Sequence, residues 1–201
     1  MSTPLLVVAG EASGDLHAAR LLGALASRIP KPQTLEVFGL GGDELRAAGC
    51  ETIADSAEIS VVGITEVLKI LPRAREIFAA LLVEAERRRP KLAVLVDFPD
   101  FNLRLARELK KRGIPVVYYI SPQVWAWPRG RIRTIAKVVD RMLVLFPFEV
   151  DFYRGRGVSA VHVGHPLVDE VPTLAQAWDL PRPSDEPFRV ALLPGSRRSE
   201  V

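Results

Sequence analysis

Short, β-forming apolar runs alternate along the chain with segments whose apolar residues recur at helical spacing. The runs occupy residues 5–9, 35–40, 92–97, 116–121, 142–146 and 161–164, and the helical patterns between them fall at 15–28, 72–89 and 102–112. Gly113-Ile114-Pro115 supplies a helix stop before the next run. Alternation of this kind predicts an α/β fold, a Rossmann-like doubly wound parallel sheet with crossover helices.

At 201 residues the chain exceeds the commonest domain size of about 100–150 residues. The expected division is a Rossmann-like domain over 1–166, an interdomain linker over 167–188 punctuated by Pro172, Pro181, Pro183 and Pro187, and the start of a second Rossmann-like domain over 189–201. Apolar residues make up 48% and charged ones 25%, a profile that excludes disordered and collagen-like chains. A net charge of +3 is too small and dispersed for a nucleic-acid footprint, so no nucleic-acid partner is expected. The single Cys50 forms no internal disulfide, and no leader-like segment precedes the first run, which fits a reducing cytoplasm. No run reaches the roughly 18 apolar residues of a membrane span, so any membrane contact is expected to be peripheral.

The chemistry concentrates where runs end. The run Val94-Leu95-Val96 ends on Asp97 and turns at once through Phe98-Pro99. In open α/β sheets ligands bind outside the carboxyl ends of the strands, so Asp97 is a candidate catalytic base. Gly10-Glu11-Ala12-Ser13-Gly14-Asp15 follows the first run, Gly41-Gly42-Asp43-Glu44 the second, and Ser121-Pro122-Gln123-Val124-Trp125-Ala126-Trp127-Pro128 the fourth. Four such loops on one edge favour a ligand crevice over ordinary turn composition. Spacing in the first loop does not match GxGxxG, which weakens a nicotinamide-dependent oxidoreductase. Ser13 or Asp15 can cap a helix, and Asp100 and Asn102 the helix after Asp97, so both a capping and a ligand reading stay open for them. Glu11 has no evident capping duty and is free to meet a sugar hydroxyl.

His17 and His162 read as structural, whereas His165, between Gly164 and Pro166, stands where a cleft would open. Three dispersed histidines and one cysteine offer no metal-ligand spacing, so no metal is expected. Trp125 and Trp127 share a side if extended and precede Arg129, Arg131 and Arg133; they either cradle a sugar or base, or plug the underside of a loop. Residues 61–71 carry more apolar side chains than one buried stripe needs. Val62, Ile64, Val67, Leu68 and Leu71, with Lys69, Arg73 and Arg75 nearby, either pack under the domain or meet membrane and acyl chains.

Taken together, the chain resembles the lipid-A-disaccharide synthases, inverting glycosyltransferases built of two facing Rossmann-like domains (the GT-B fold). The resemblance rests on Ala9-Gly10-Glu11-Ala12-Ser13-Gly14-Asp15, Val62-Gly63-Ile64 through Glu66-Val67-Leu68, Asp97-Phe98-Pro99-Asp100-Phe101-Asn102, Ser121-Pro122-Gln123-Val124-Trp125-Ala126-Trp127, Phe146-Pro147-Phe148-Glu149, Gly164-His165-Pro166 and Leu193-Pro194-Gly195-Ser196-Arg197, in that order. The basic residue that commonly follows the second tryptophan in the family is displaced by one, since Pro128 precedes Arg129.

The resemblance implies transfer of a diacylated glucosamine from UDP-2,3-diacylglucosamine onto the 6-hydroxyl of 2,3-diacylglucosamine 1-phosphate, at the inner face of the cytoplasmic membrane. It implies Asp97 as base with Glu11 assisting, Gly10, Ser13, Gly14, Asp100, Asn102, Trp125, Trp127 and His165 around the substrate, and Gly195, Ser196 and Arg197 on the donor diphosphate. UDP-sugar is then a substrate, and no cofactor is expected. The second domain of the family continues past residue 201, so this chain is expected to be an N-terminal portion. A binding module for a lipid or sugar phosphate, without turnover, is the alternative.

Overall fold

The computed structural model describes residues 2–60, 64–122, 130–169 and 192; for residues 64–69 it describes the backbone alone. Seven strands, β1 (Ser2–Ala9), β2 (Thr34–Gly41), β3 (Glu51–Asp55), β4 (Leu92–Val96), β5 (Val116–Tyr119), β6 (Arg141–Val144) and β7 (Ala160–His162), form one parallel sheet in the order β3-β2-β1-β4-β5-β6-β7. Between them run helices α1 (Ala12–Ala26), α2 (Asp43–Ala47), α3 (Ile64–Arg88), α4 (Pro99–Lys111), α5 (Gly130–Val138) and α6 (Pro147–Arg154). The expected doubly wound α/β class is the class observed.

Parallel strands covered on both faces must be apolar throughout, and β1 and β4 are. On one side Leu5, Val7, Ala9, Val94 and Val96 meet Ala18 and Leu22 of α1 and Leu45 of α2. On the other, Leu6, Val8, Phe38 and Leu95 meet Ile77 and Leu81 of α3, Leu105 and Leu109 of α4, Ile135 of α5 and Tyr153 of α6. Burying each such side chain contributes roughly 1.5–3 kcal/mol, so the central strands form the most firmly held part of the molecule.

Two elements differ from the sequence expectation. Strand β3 is absent from the apolar runs because it lies at the sheet edge, where Glu51 and Asp55 face solvent and only Ile53 and Ala54 add apolar area. Helix α3 begins at Ile64, eight residues before the expected start at Pro72, which sits inside the helix. Proline there removes one backbone donor, a loss the rest of a 25-residue helix absorbs. The expected stop at Gly113 is observed: its φ of +71° lets Ile114 N–H reach the Leu109 carbonyl and Gly113 N–H that of Lys110.

The chain divides into two units, Met1–Gly164 and His165–Val201. In the second, the described residues include a single helical turn, Pro166–Asp169. The linker and second-domain readings at 170–201 otherwise lie outside the described residues. Among the described residues no helix is long and apolar enough to cross a membrane.

Candidate functional site

Strand order reverses between β1 and β4: the chain winds outward through β2 and β3 on one side and through β5 to β7 on the other. At such a switch point the two following loops part and leave a crevice at the carboxyl ends of the strands. Ala9 pairs with Val96 in register, so the next residues, Gly10-Glu11 and Asp97-Phe98, flank that crevice.

The backbone at the end of β4 is unusual. Asp97 (φ 45°) and Phe98 (φ 49°) both adopt left-handed conformations that non-glycine residues rarely hold, and never without support from their surroundings. Support comes from three directions. The Asp97 carbonyl accepts hydrogen bonds from Asn102 Nδ2 at 2.8 Å and from the Tyr118 hydroxyl at 2.5 Å. Asn102, fully buried, also donates to the Val96 carbonyl at 3.2 Å, and Asp97 N–H donates to the Tyr119 carbonyl at 3.0 Å. The Phe98 ring stacks on Phe101, which in turn meets Phe78 edge-on, each pair with centroids 5.5 Å apart. Gly10 completes the fit, because a Cβ there would lie 2.2 Å from the Phe98 ring.

With its main chain fastened, the Asp97 side chain is left for other work. Its carboxyl is pushed above the ordinary carboxylate range, first by burial and then by the negative charge of Glu11, partly offset by the Phe98 N–H. Glu11 occupies the N-cap position of α1, yet its side chain makes no capping bond. Two carboxylates thus face one crevice, one of them driven toward its protonated form.

Asp15 behaves differently. It is 3% exposed, and its carboxylate accepts from the backbone N–H groups of Gly42 (2.7 Å), Glu44 (3.0 Å) and Leu45 (3.4 Å). It therefore caps α2, which bears out the capping reading of Asp15 for a helix other than its own. Gly41 and Gly42 have no room for a Cβ, which would lie 2.9 and 2.8 Å from the Asp15 oxygens. The Gly41-Gly42-Asp43-Glu44 loop is accordingly a seat for Asp15.

The capping reading of Asp100 and Asn102 is corrected, since Phe98 holds the N-cap position of α4 without a side-chain bond. Asp100 is exposed and pairs with Arg131 at 2.5 Å; Asn102 serves the β4 carbonyls. Ser13 is exposed in the first turn of α1, with Gly14 buried beside it. His162 contacts the Leu145 carbonyl through Nε2 at 3.1 Å, and in the second unit His165 Nδ1 accepts from Leu167 N–H at 3.2 Å. Leu71 is half-buried, Ile64, Val67 and Leu68 lie on the α3 backbone, and Val62, Trp125, Trp127, Gly195, Ser196 and Arg197 lie outside the described residues.

Sequence reasoning missed Glu149. It is 2% exposed, accepts from Phe146 N–H at 2.9 Å and from the Ser121 hydroxyl, and so ties the loop after β5 to the start of α6. Pro147 at the first helical position with Glu149 two residues later is the signal that could have revealed it.

Fold and crevice together define a doubly wound α/β protein whose carboxylates converge at the sheet's switch point. The chain belongs to the lipid-A-disaccharide synthetase family, whose model matches residues 5–201. It is similar to the lipid-A-disaccharide synthase of Myxococcus xanthus (strain DK1622), with 54% identity over 98% of this chain and 51% of that protein. The enzyme of the same name from Koribacter versatilis (strain Ellin345) is 52% identical over 98% and 52%. The chain thus spans about half the length of these relatives. Among solved structures, the UDP-GlcNAc 2-epimerase of Neisseria meningitidis shares the fold, with a TM-score of 0.58 at 11% identity over 84% of this chain and 48% of that one.

Proposed function

We propose that this chain is the acceptor-binding and catalytic-base half of a glycosyltransferase that joins UDP-2,3-diacylglucosamine to 2,3-diacylglucosamine 1-phosphate, releasing UDP. The observation that carries the reading is Asp97, a partly buried carboxylate at the switch point, with its backbone held in a strained turn and its proton affinity raised. A raised value brings a carboxylate nearer to the neutral range where general bases work best. Asp97 takes the proton of the acceptor's 6-hydroxyl as that oxygen attacks the anomeric carbon from the face opposite UDP. One base and one displacement account for inversion. Glu11, across the crevice, helps hold Asp97 ready and positions the sugar; Gly10, Ser13 and Gly14 border the same crevice.

Asn102 enters this scheme as a positioning residue. Trp125, Trp127 and His165 are assigned to substrate contact, and Gly195, Ser196 and Arg197 to the donor diphosphate, where backbone N–H groups and a fixed cation suit phosphate. Val62, Ile64, Val67, Leu68 and Leu71 are assigned to acyl chains or to the cytoplasmic face of the inner membrane.

UDP release from acylated substrates in detergent micelles tests the reading, comparing this chain, a chain continued to the full length of its relatives, and the continued chain carrying Asp97→Asn. Turnover in the continued wild type with loss in Asp97→Asn is the expected result. Retained turnover in Asp97→Asn overturns the base assignment, and absence of turnover in every form favours a binding module.

A further inference from the structure

A cavity opens in the cleft between α4 and α5, reaching Pro99 at the start of α4. Its volume is about 170 Å³, and its walls carry Arg104 and Arg107 from α4 and Arg131 and Thr134 from α5. Asp100 is its one acidic wall residue and is already paired with Arg131. Arg104 and Arg107 are exposed and form no ion pair among the described residues, whereas Lys110, Lys111 and Arg112 at the far end of α4 all pair with carboxylates. Positive charge on α4 is therefore uncompensated at Arg104 and Arg107, in the middle of the helix, and compensated in its last turn.

Geometry relates this cleft to the crevice. Pro99, at its rim, is two residues from Asp97. Arg104 stands five residues further along α4, about 7.5 Å along the axis, and helical side chains lean toward the N-terminus. The Cα–Cβ bonds of both arginines therefore tilt toward the strand end. Guanidinium groups and a hydroxyl converging on a small cavity match a phosphate, which accepts paired N–H donors from arginine.

We propose that the α4–α5 cleft binds the phosphomonoester of the acceptor, so that the sugar lies with its 6-hydroxyl at Asp97 and its anomeric phosphate between Arg104, Arg107 and Arg131. The inference rests on the acceptor reading of the crevice and extends it to a substrate-orienting site. The ring carbons that carry the phosphate and the hydroxymethyl group, C1 and C5, both flank the ring oxygen, so a phosphate anchor on α4 fixes which hydroxyl reaches the base. Asp100 moderates the site by holding Arg131 and repelling the anion, which keeps product from binding too tightly.

Glucosamine 1-phosphate, which lacks acyl chains, is the probe, titrated into the 201-residue chain by calorimetry in phosphate-free, low-salt buffer. Binding is expected for glucosamine 1-phosphate and absent for glucosamine. Arg104→Ala and Arg107→Ala should each weaken it about tenfold, Arg104→Lys less, and Asp100→Asn should tighten it several-fold. Both arginines are exposed, so unchanged circular dichroism is expected in the variants. Equal binding in wild type and the Arg104→Ala/Arg107→Ala double variant overturns the proposal. Inorganic phosphate binding as tightly as the sugar phosphate makes the cleft a simple anion trap and also overturns it. So does loss of binding to phosphatidylglycerol vesicles in the double variant with sugar-phosphate binding intact, which would assign the arginines to a lipid headgroup. The phosphate site is scored by sugar-phosphate binding in the arginine variants and the base assignment by turnover in Asp97→Asn, so failure of one is read separately from failure of the other.

Discussion

Asp15, in the first turn of α1, and Asp97, in the turn after β4, stand at the carboxyl ends of neighbouring strands of one sheet, and the fold uses them in opposite ways. Asp15 spends its carboxylate on three backbone N–H groups of the α2 terminus and is sealed from solvent. Asp97 has its carbonyl and N–H fastened by Asn102, Tyr118 and Tyr119, while its carboxylate receives only a Phe98 N–H and the repulsion of Glu11. A carboxylate whose bonds are all made is architecture. One whose main chain is immobilised and whose side chain is left underbonded keeps capacity for an external partner.

The largest effect expected from breaking this contrast is on turnover. Asp97→Asn should reduce the rate of the full-length enzyme roughly a hundred- to ten-thousandfold, while leaving the fold intact. Because the folded carboxyl is harder to ionise than the unfolded one, wild type loses stability relative to Asp97→Asn as pH rises from the ordinary carboxylate range through the raised value. Below that window the difference between the two should stop changing with pH, which urea denaturation at several pH values will show.

Asp15→Ala should reverse the pattern, costing about 2–4 kcal/mol of folding free energy because buried backbone donors lose their acceptor. Urea midpoints measure it, and a stability change below about 0.5 kcal/mol would remove the clamp from the account. Gly10→Ala should cost about 1–3 kcal/mol by driving a methyl group into the Phe98 ring. Pairing it with Phe98→Ala should recover much of that loss, a coupling that a double-mutant cycle detects. Tyr118→Phe is the mildest change, removing one bond to the Asp97 carbonyl for about 1 kcal/mol. In the full-length enzyme it should lower kcat more than it alters KM, since it loosens the base without touching the substrate.

Much of this was legible in the residues because parallel strands buried on both faces cannot avoid continuous apolar runs, and a carboxylate ending such a run is conspicuous. The places of Asp97 and Glu11 just past the ends of β4 and β1 could be read that way. The edge strand β3, carrying Glu51 and Asp55, could not, because half its surface is wet. Nor could the duties of Asp15 and Asn102: Asp15 reaches backbone 27 residues away, and Asn102 folds back on the strand it follows. The need for glycine at position 10 is likewise set by a ring 88 residues distant. Local patterns report which residues are available, and only the assembled sheet edge decides which of them are already committed.

The most direct test of that division is a carboxyl-carbon NMR titration of the chain labelled at aspartate, with Asp97 assigned by Asp97→Asn. The account predicts that Asp97 titrates above the ordinary aspartate range and that Glu11→Gln moves it back down. Titration at or below the ordinary range, or indifference to Glu11→Gln, would contradict the claim that the crevice holds Asp97 as a poised base.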